Sequence, residues 1–506
     1  MAIAARSFRI VAVLTASLLA GTAQAAGTLR VGIAEDPDIL DPARSGSYVG
    51  RILFAALCDK LVDIDAKLAF QPQLATKWEW SADNMALTVT LRPGVKFHDG
   101  EAVDAEAVRI NLTRYQSAPE SVRKGEVKPI AAIEVVDPLT VRLKLAQPYA
   151  PLVAVLADRA GMMMSPKALA RLGAEVSKDP VCAGPFKFTE RVAQDHITFD
   201  RFAGYWDAGR VHLDRIVYRP YADSNIRLIN LQSGQLDLIE RMPPSDATRV
   251  KADPKLRLLT SPAIAYQSLF INLAHGPMAD NPLGKDARVR EAFEKAIDRN
   301  VINQVIGEGM FVPNNQVESP TSPYWNAGHP VPPRDLAGAK ALLKAAGYDK
   351  VSFELLTYNA PIAQQTAELI QSMAGEAGFD IKLKMMEANA ATTAAINGEY
   401  QMTTGIWSGR ADPDGNIAIW LAKDGFLNWG RYDNPALDAL LVKARGVTDV
   451  AARKTMYGEI SDIYLKDRPF VVMYHQTWLF GTTERLSGFA PVPDGLLRPQ
   501  GIQIRQ

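Results

Sequence analysis

Residues 351–386 constrain the fold more than any other stretch. Val351, Phe353 and Leu355 alternate as a strand. Residues 361–377 then carry Ile362, Leu369, Ile370 and Met373 on one helical side, opened by Pro361 and closed by Gly378. Ile381, Leu383 and Met385 alternate again. Strand, helix, strand over roughly 35 residues is a βαβ unit, which forces parallel pairing and a sheet covered by helices. A helical stretch at 388–398 leads to a short strand near 401–406, which runs into Ile406-Trp407-Ser408-Gly409-Arg410-Ala411-Asp412-Pro413-Asp414-Gly415-Asn416. Ligands of open α/β sheets sit beyond the carboxyl ends of strands. The loop 407–416 is therefore the first place to look for function.

Other segments read locally. In residues 85–103, Leu87, Val89 and Leu91 point one way, as do Val95 and Phe97 beyond the Pro93-Gly94 turn. The pattern predicts a hairpin, followed by a turn at Asp99-Gly100. Asp104 should cap a helix with Val108, Leu112 and Tyr115 on one face. Residues 285–306 read as one helix, capped by Asp286, with Val289, Phe293, Ala296 and Ile297 inward and Gly307 and Gly309 at its end. Residues 335–347 repeat that grammar from Asp335 to Gly347, packing Leu336, Ala339, Leu342 and Leu343.

The 506 residues suggest two to four domains. With 56 basic and 56 acidic residues the chain is balanced, which argues against a general nucleic-acid binder. Arg6 and Arg9, an apolar run from Ile10 to Ala20, and Ala23-Gln24-Ala25 read as a secretory signal cut after Ala25. The apolar run is too short to span a bilayer, and no later run is long enough, so a soluble mature chain is expected. Export would place the two cysteines, Cys58 and Cys182, in an oxidising compartment. They suit one disulfide, which would close a loop of about 125 residues worth roughly 5 kcal/mol. Two separate buried thiols are the alternative.

Catalytic grammar is absent: no G-x-S-x-G elbow, HExxH, Walker A loop or GxGxxG occurs. Ser121-Val122-Arg123-Lys124 matches S-x-x-K without its K-T-G companion and reads as a solvated helix face. The six histidines show no i, i+4 or H-x-H pair, and Asp36, Asp38, Asp41, Asp412 and Asp414 lack calcium-loop spacing. No metal or other cofactor is expected.

Five segments in order resemble the solute-binding proteins of bacterial ABC importers, of the large peptide/opine/nickel type: LRVGIAEDPDILDP (29–42), FQPQLATKWEWSADNMALTVTLRPGVKFHDGEAVDAEAV (70–108), CAGPFKF (182–188), DARVREAFEKAIDRNVI (286–302) and NWGRYDNPALDALLVKAR (428–445). The resemblance implies a two-lobed α/β periplasmic-binding-protein clamshell of type II, with an extra domain inserted in the first lobe. The first lobe would use residues 26–57, 182–262 and 480–506, the insertion 58–181, and the second lobe 263–479. It also implies a periplasmic, monomeric, non-enzymatic carrier of a peptide or other small solute. Its partner would be a membrane permease driven by cytoplasmic ATPases. An opine or other anionic solute is the alternative within the class, and a secreted hydrolase the alternative outside it. A nickel or haem carrier is disfavoured by the scattered histidines.

The resemblance carries site expectations. Dipeptide binders hold the peptide ammonium with an Asp shortly after the Trp of the second-lobe loop; here Arg410 follows Trp407 in that place. Such binders place a carboxylate-binding Arg before the 361–377 helix, where this chain reads Leu355-Leu356-Thr357-Tyr358-Asn359, and a Trp where it has Ala388. The departures point away from a free dipeptide. Arg410 offers a planar fork for a carboxylate or phosphate, or bridges internally to Asp412 or Asp414. Trp407 is a stacking wall or a core residue. Ser45-Gly46-Ser47-Tyr48 matches a loop whose backbone borders ligand, or is a simple turn. Asp412 and Asn428 complete the candidates.

Overall fold

A computed structural model describes residues 27–505. The export signal read at residues 1–25 lies outside them.

Val351–Tyr358 and Phe379–Met386 pair in parallel without a break in register, from Val351 opposite Phe379 to Tyr358 opposite Met386. Helix Pro361–Gly375 makes the crossover. It buries Ile370 and Met373 against Val351, Phe353 and Leu355, while Ile362 in its first turn is exposed. Met402–Trp407 joins the other side of Val351–Tyr358, also in parallel.

These three strands form one end of an eleven-stranded sheet. The other end runs through Leu238–Ile239, Thr28–Ile33, Arg215–Pro220, His196–Arg201 and Phe186–Val192. Two long antiparallel strands, Leu256–Ile271 and Phe470–Thr483, connect the ends and so belong to both lobes. Their ladder shifts register between Pro262 and Tyr266 and again between Gln267 and Ser268. Pro262 has no N–H to donate, and such irregularities bend and twist a strand pair. On one side of this break Leu256 and Leu479 pack with Leu228 and Ile239. On the other, Leu269 and Val471 pack with Phe293 and Phe353. The molecule is thus the two-lobed α/β arrangement that the resemblance implied.

A separate four-stranded antiparallel sheet, in the order Ala75–Trp80, Ala86–Leu91, Thr140–Leu145, Ile130–Asp137, has its own core. Helix Ala105–Ser117 covers it, capped as expected by Asp104, whose Oδ1 accepts Ala107 N–H at 2.8 Å.

Two local expectations are corrected. Residues 85–103 do not form a hairpin. Ala86–Leu91 is flanked on both sides, by Ala75–Trp80 and Thr140–Leu145, so no edge is free for the chain returning after Gly94. Val95 and Phe97 are still buried, but the local bridge is Lys96 to Ala102, across the Asp99-Gly100 turn. Residues 285–306 form two helices, Ala287–Ala296 and Arg299–Ile306. Asp298 accepts from the N–H groups of Asn300 and Val301 and restarts the helix, as a capping aspartate does.

Cys58 and Cys182 form a disulfide, with Cα atoms 4.9 Å apart and the two residues 124 positions apart in sequence. It ties the end of helix Tyr48–Leu57 to the segment entering Phe186–Val192, where the chain leaves for and returns from the four-stranded sheet. Among the described residues no helix is long and apolar enough to cross a membrane.

Candidate functional site

The loop after Met402–Trp407 is held in shape by one amide. Asn416 Oδ1 accepts from Arg410 N at 2.7 Å and from Trp407 Nε1 at 3.1 Å. Its Nδ2 donates to Arg410 O at 2.9 Å and to Glu318 Oε1 at 3.1 Å. Gly409 has φ +78°, and a Cβ there would lie 2.5 Å from Ile264 O, so only glycine fits. Burial pushes the Glu318 carboxyl up to about 7, against the hydrogen bonds from Ser322 and Asn416. A carboxyl whose folded pKa exceeds its unfolded value stabilises the fold fully below the unfolded pKa, and loses that contribution as pH rises through the folded pKa. We expect wild type to lose about 3 kcal/mol relative to Glu318→Gln between pH 4 and 8. Paired thermal melts across that range measure it, and parallel pH profiles would refute it.

Facing this loop is the start of helix Tyr48–Leu57. Asp38 gathers the loop before it, accepting from Ser45 Oγ at 2.8 Å, Gly46 N at 2.7 Å, Ser47 N at 3.1 Å and Ser47 Oγ at 2.7 Å. Burial opposes the charge of Asp38, but these bonds outweigh it and hold its carboxyl below the ordinary range. Ser47 also caps the helix by accepting Gly50 N–H. Tyr48 stacks on Trp478 with ring centroids 5.2 Å apart and donates its hydroxyl to Asp494 O.

Between the two loops, the guanidinium groups of Arg51, Arg159 and Arg410 approach one buried aspartate, Asp158, at 3.1, 3.8 and 3.3 Å, and that of Arg123 lies close enough to act on its charge. Arg51 Nε reaches Asp158 Oδ1 at 3.1 Å, which also accepts Arg159 N–H at 2.8 Å. Arg410 Nε comes from the second lobe to within 3.3 Å of Asp158 Oδ2. Arg410 also lies over the Trp407 ring, 4.6 Å from its centroid. Arg159 Nη1 donates to Ser45 O and Ser47 O, while Arg123 Nη2 donates to Ser45 O and its Nη1 pairs with Glu126. One aspartate cannot balance this charge. Burial works against its ionisation, yet Arg51, Arg410, Arg159 and Arg123 hold its carboxyl well below the ordinary range. Meanwhile burial, and the neighbouring cations, pull Arg159 down to about 9 and Arg410 to about 10. The Nε atoms of Arg123 and Arg159 and Asp158 Oδ2 are buried without a hydrogen-bond partner.

The lobes meet around this cluster. Tyr149 Oη reaches Asp414 Oδ2 at 3.4 Å, Ala150 N donates to Arg445 O at 2.7 Å, and Arg51 Nη1 reaches Ser408 Oγ at 3.5 Å. A surface concavity of about 540 Å³ beside Ile39, Phe188, Lys178 and Arg191 includes none of the four arginines of the cluster.

The structure brings Ser45, Ser47, Tyr48, Trp407 and Arg410 to this seam, with the exposed Gly46 beside them. Asp412 and Asn428 have their polar groups engaged within the second lobe. Asp412 receives both Nη atoms of Arg453, at 2.5 and 2.8 Å. Asn428 bonds Ala422 O, Tyr432 O and Tyr432 N. The internal bridge of Arg410 goes to Asp158 rather than to Asp412 or Asp414; Arg445 takes Asp414. The backbone N–H groups of Gly46 and Ser47 are taken by Asp38. Arg51, Asp158, Arg159 and Arg123 were not foreseen. Their signal was a charge inside an apolar run, as in Tyr48-Val49-Gly50-Arg51-Ile52-Leu53 and Val155-Leu156-Ala157-Asp158-Arg159-Ala160. Arg123 lies in the S-x-x-K match, but 5% exposed, not on a solvated face. Among the described residues no group of three His, Cys, Asp or Glu could hold a metal ion.

Comparison with known proteins agrees with the two-lobed fold. The model of the bacterial extracellular solute-binding proteins, family 5, matches residues 69–428. The glutathione-binding protein GsiB of Pectobacterium atrosepticum is 30% identical over 507 aligned residues, covering 97% of each chain. The periplasmic binding protein AgaA of Agrobacterium tumefaciens, solved with agropinic acid, superposes with a TM-score of 0.82 at 27% identity, covering 95% of this chain and 99% of that one. The periplasmic binding protein DppA of Helicobacter pylori, solved with the peptide STSA, gives 0.83 at 25% identity, covering 95% and 98%.

Proposed function

This chain belongs to the bacterial extracellular solute-binding proteins, family 5, and from that membership we propose that it captures an anionic, peptide-like solute between its lobes. It is the substrate-binding component of an ABC importer and not an enzyme. The observation that carries the ligand class is the gathering of Arg51, Arg159 and Arg410 on Asp158, with Arg123 beside them on Ser45 O and Glu126. With Glu126 included, four cations face two anions in a buried seam. Uncompensated buried charge is costly, so the seam favours a solute that brings negative charge. Glutathione, bound by the GsiB relatives, is an acidic peptide of this kind and our first candidate. An opine acid is the second reading, favoured by the likeness to the agropinic acid complex.

Capture works by population shift. A ligand touching both lobes binds the closed form better and moves the equilibrium towards it. Arg410 with Trp407 acts from the second lobe; Tyr48, with the Ser45-Gly46-Ser47 loop behind it, acts from the first. The closed form then docks on a membrane permease coupled to cytoplasmic ATPases. We place the protein in the periplasm as a monomer, after removal of residues 1–25. We keep the first lobe at 26–57, 182–262 and 480–506, the insertion at 58–181 and the second lobe at 263–479. The separate apolar core of the four-stranded sheet supports this division.

Titration calorimetry tests the ligand class. Glutathione or agropinic acid should bind at least about tenfold more tightly than the dipeptide Met-Leu, the equivalent of one charge-assisted contact. Equal or tighter binding of Met-Leu would overturn the reading.

A further inference from the structure

The seam presents an acid and a base side by side, one from the inserted domain and one from the second lobe. Asp158 Oδ2 is buried, accepts no hydrogen bond, and has Arg410 Nε at 3.3 Å. Its other oxygen is fixed by Arg51 and by the N–H of Arg159, so the carboxylate cannot turn away. Arg410 is also fixed, by stacking on Trp407 and by donating Nη1 to Gly409 O and Ser408 Oγ. Its Nη2 makes no hydrogen bond among the described residues. The seam therefore keeps one acceptor and one donor in reserve, adjacent and oppositely charged.

We propose that this pair reads a free α-amino-acid head group: the ammonium goes to Asp158 Oδ2 and the carboxylate to Arg410, with Arg51 beside it. The inference rests on the reading of the seam as the ligand site and deepens it. An α-amino acid carries both charges on one carbon, which matches two groups that already lie in contact. An ordinary α-linked peptide separates its ammonium and terminal carboxylate by the length of the chain and cannot offer both here. A γ-glutamyl compound such as glutathione keeps them together. Asp158 would then supply the ammonium contact from the inserted domain, across the seam from the loop after Trp407 that carries Arg410. The direct Arg410–Asp158 pair stands in for the head group when no ligand is present. Charge-assisted hydrogen bonds of this kind give geometric as well as energetic selection.

The test uses the whole protein and three probes: glutathione, its isomer with an α-linked glutamate, and the analogue in which glutaryl replaces γ-glutamyl and the ammonium is lost. Calorimetry on wild type should show glutathione binding about tenfold or more tightly than either comparison compound. Asp158→Asn keeps the shape and the Oδ1 contacts but removes the charge. It should weaken glutathione binding about tenfold or more and leave the glutaryl analogue unchanged or tighter. That loss of preference is a readout that general loosening of the fold would not produce. Equal binding of glutathione and the glutaryl analogue by wild type overturns the inference while leaving the anionic-solute reading intact, and needs no variant. Equal weakening of both by Asp158→Asn also overturns it. Binding of Met-Leu with none of the three acids overturns the underlying reading as well.

Discussion

Arg410→Asp should lower the affinity for glutathione about a thousandfold, an effect of about 4 kcal/mol. Two losses combine. The guanidinium that would face the solute's carboxylate is gone, and a new carboxylate faces that group across a dry seam. The new carboxylate also lies against Asp158, whose Oδ2 is 3.3 Å from Arg410 Nε in the native protein. Replacing that attraction by two like charges, even on a shorter side chain, opposes lobe closure itself. The ligand-free variant should therefore be more open than wild type by small-angle scattering. Arg410→Lys should lose less, roughly tenfold, because a point charge keeps the sign but not the fork. Folding should survive both changes. The loop is shaped mainly by Asn416 acting on the backbone of Arg410 and by Glu318 behind it, with the guanidinium adding bonds only to Ser408 and Gly409. Unchanged affinity in Arg410→Asp with a falling melting temperature would mean that Arg410 is only a brace between the lobes.

Legibility from sequence followed the range of the interactions. The βαβ unit at 351–386 was readable because both periods, two for the strands and 3.6 for the helix, are written along adjacent residues. The capping roles of Asp104, Asp286 and Asp335 were readable for the same reason. Residues 85–103 show the opposite case. The alternation of Leu87, Val89 and Leu91 identified a strand, but its second partner, Thr140–Leu145, lies about 50 residues away and takes the edge a hairpin would need. The helix break at Asp298 was visible in principle as a second capping aspartate within one apolar pattern. Arg410 stood out because it follows a strand end in a loop that the α/β rule marks. Its partner Asp158 did not, because positions 51, 123, 158, 159 and 410 meet only once three parts of the chain have docked. What sequence does carry is the anomaly of each: an ionised side chain inside an apolar run must find compensation somewhere.

Removing the disulfide should cost roughly 5 kcal/mol, an upper figure from the entropy of closing so long a loop. Cys58 and Cys182 are 124 positions apart, and both are buried in the first-lobe core with Phe54, Phe186 and Trp478. The bond lies at the junction where the chain leaves for the four-stranded sheet and comes back, so it limits how far that sheet can separate from the lobe in the unfolded ensemble. The loss should be larger than for replacing two packed apolar groups, since Cys58→Ala with Cys182→Ala keeps most of the local volume. A drop of this size is a large share of the stability of a typical domain. Urea unfolding of exported wild type and of the double variant measures it. The same preparation checks the export reading: N-terminal sequencing should begin at Ala26, and thiol titration after denaturation without reductant should find none free. A double variant as stable as wild type would show that packing around Gly184 and Leu57, where a Cβ on Gly184 would sit 2.5 Å from Leu57 O, holds this junction without the bond.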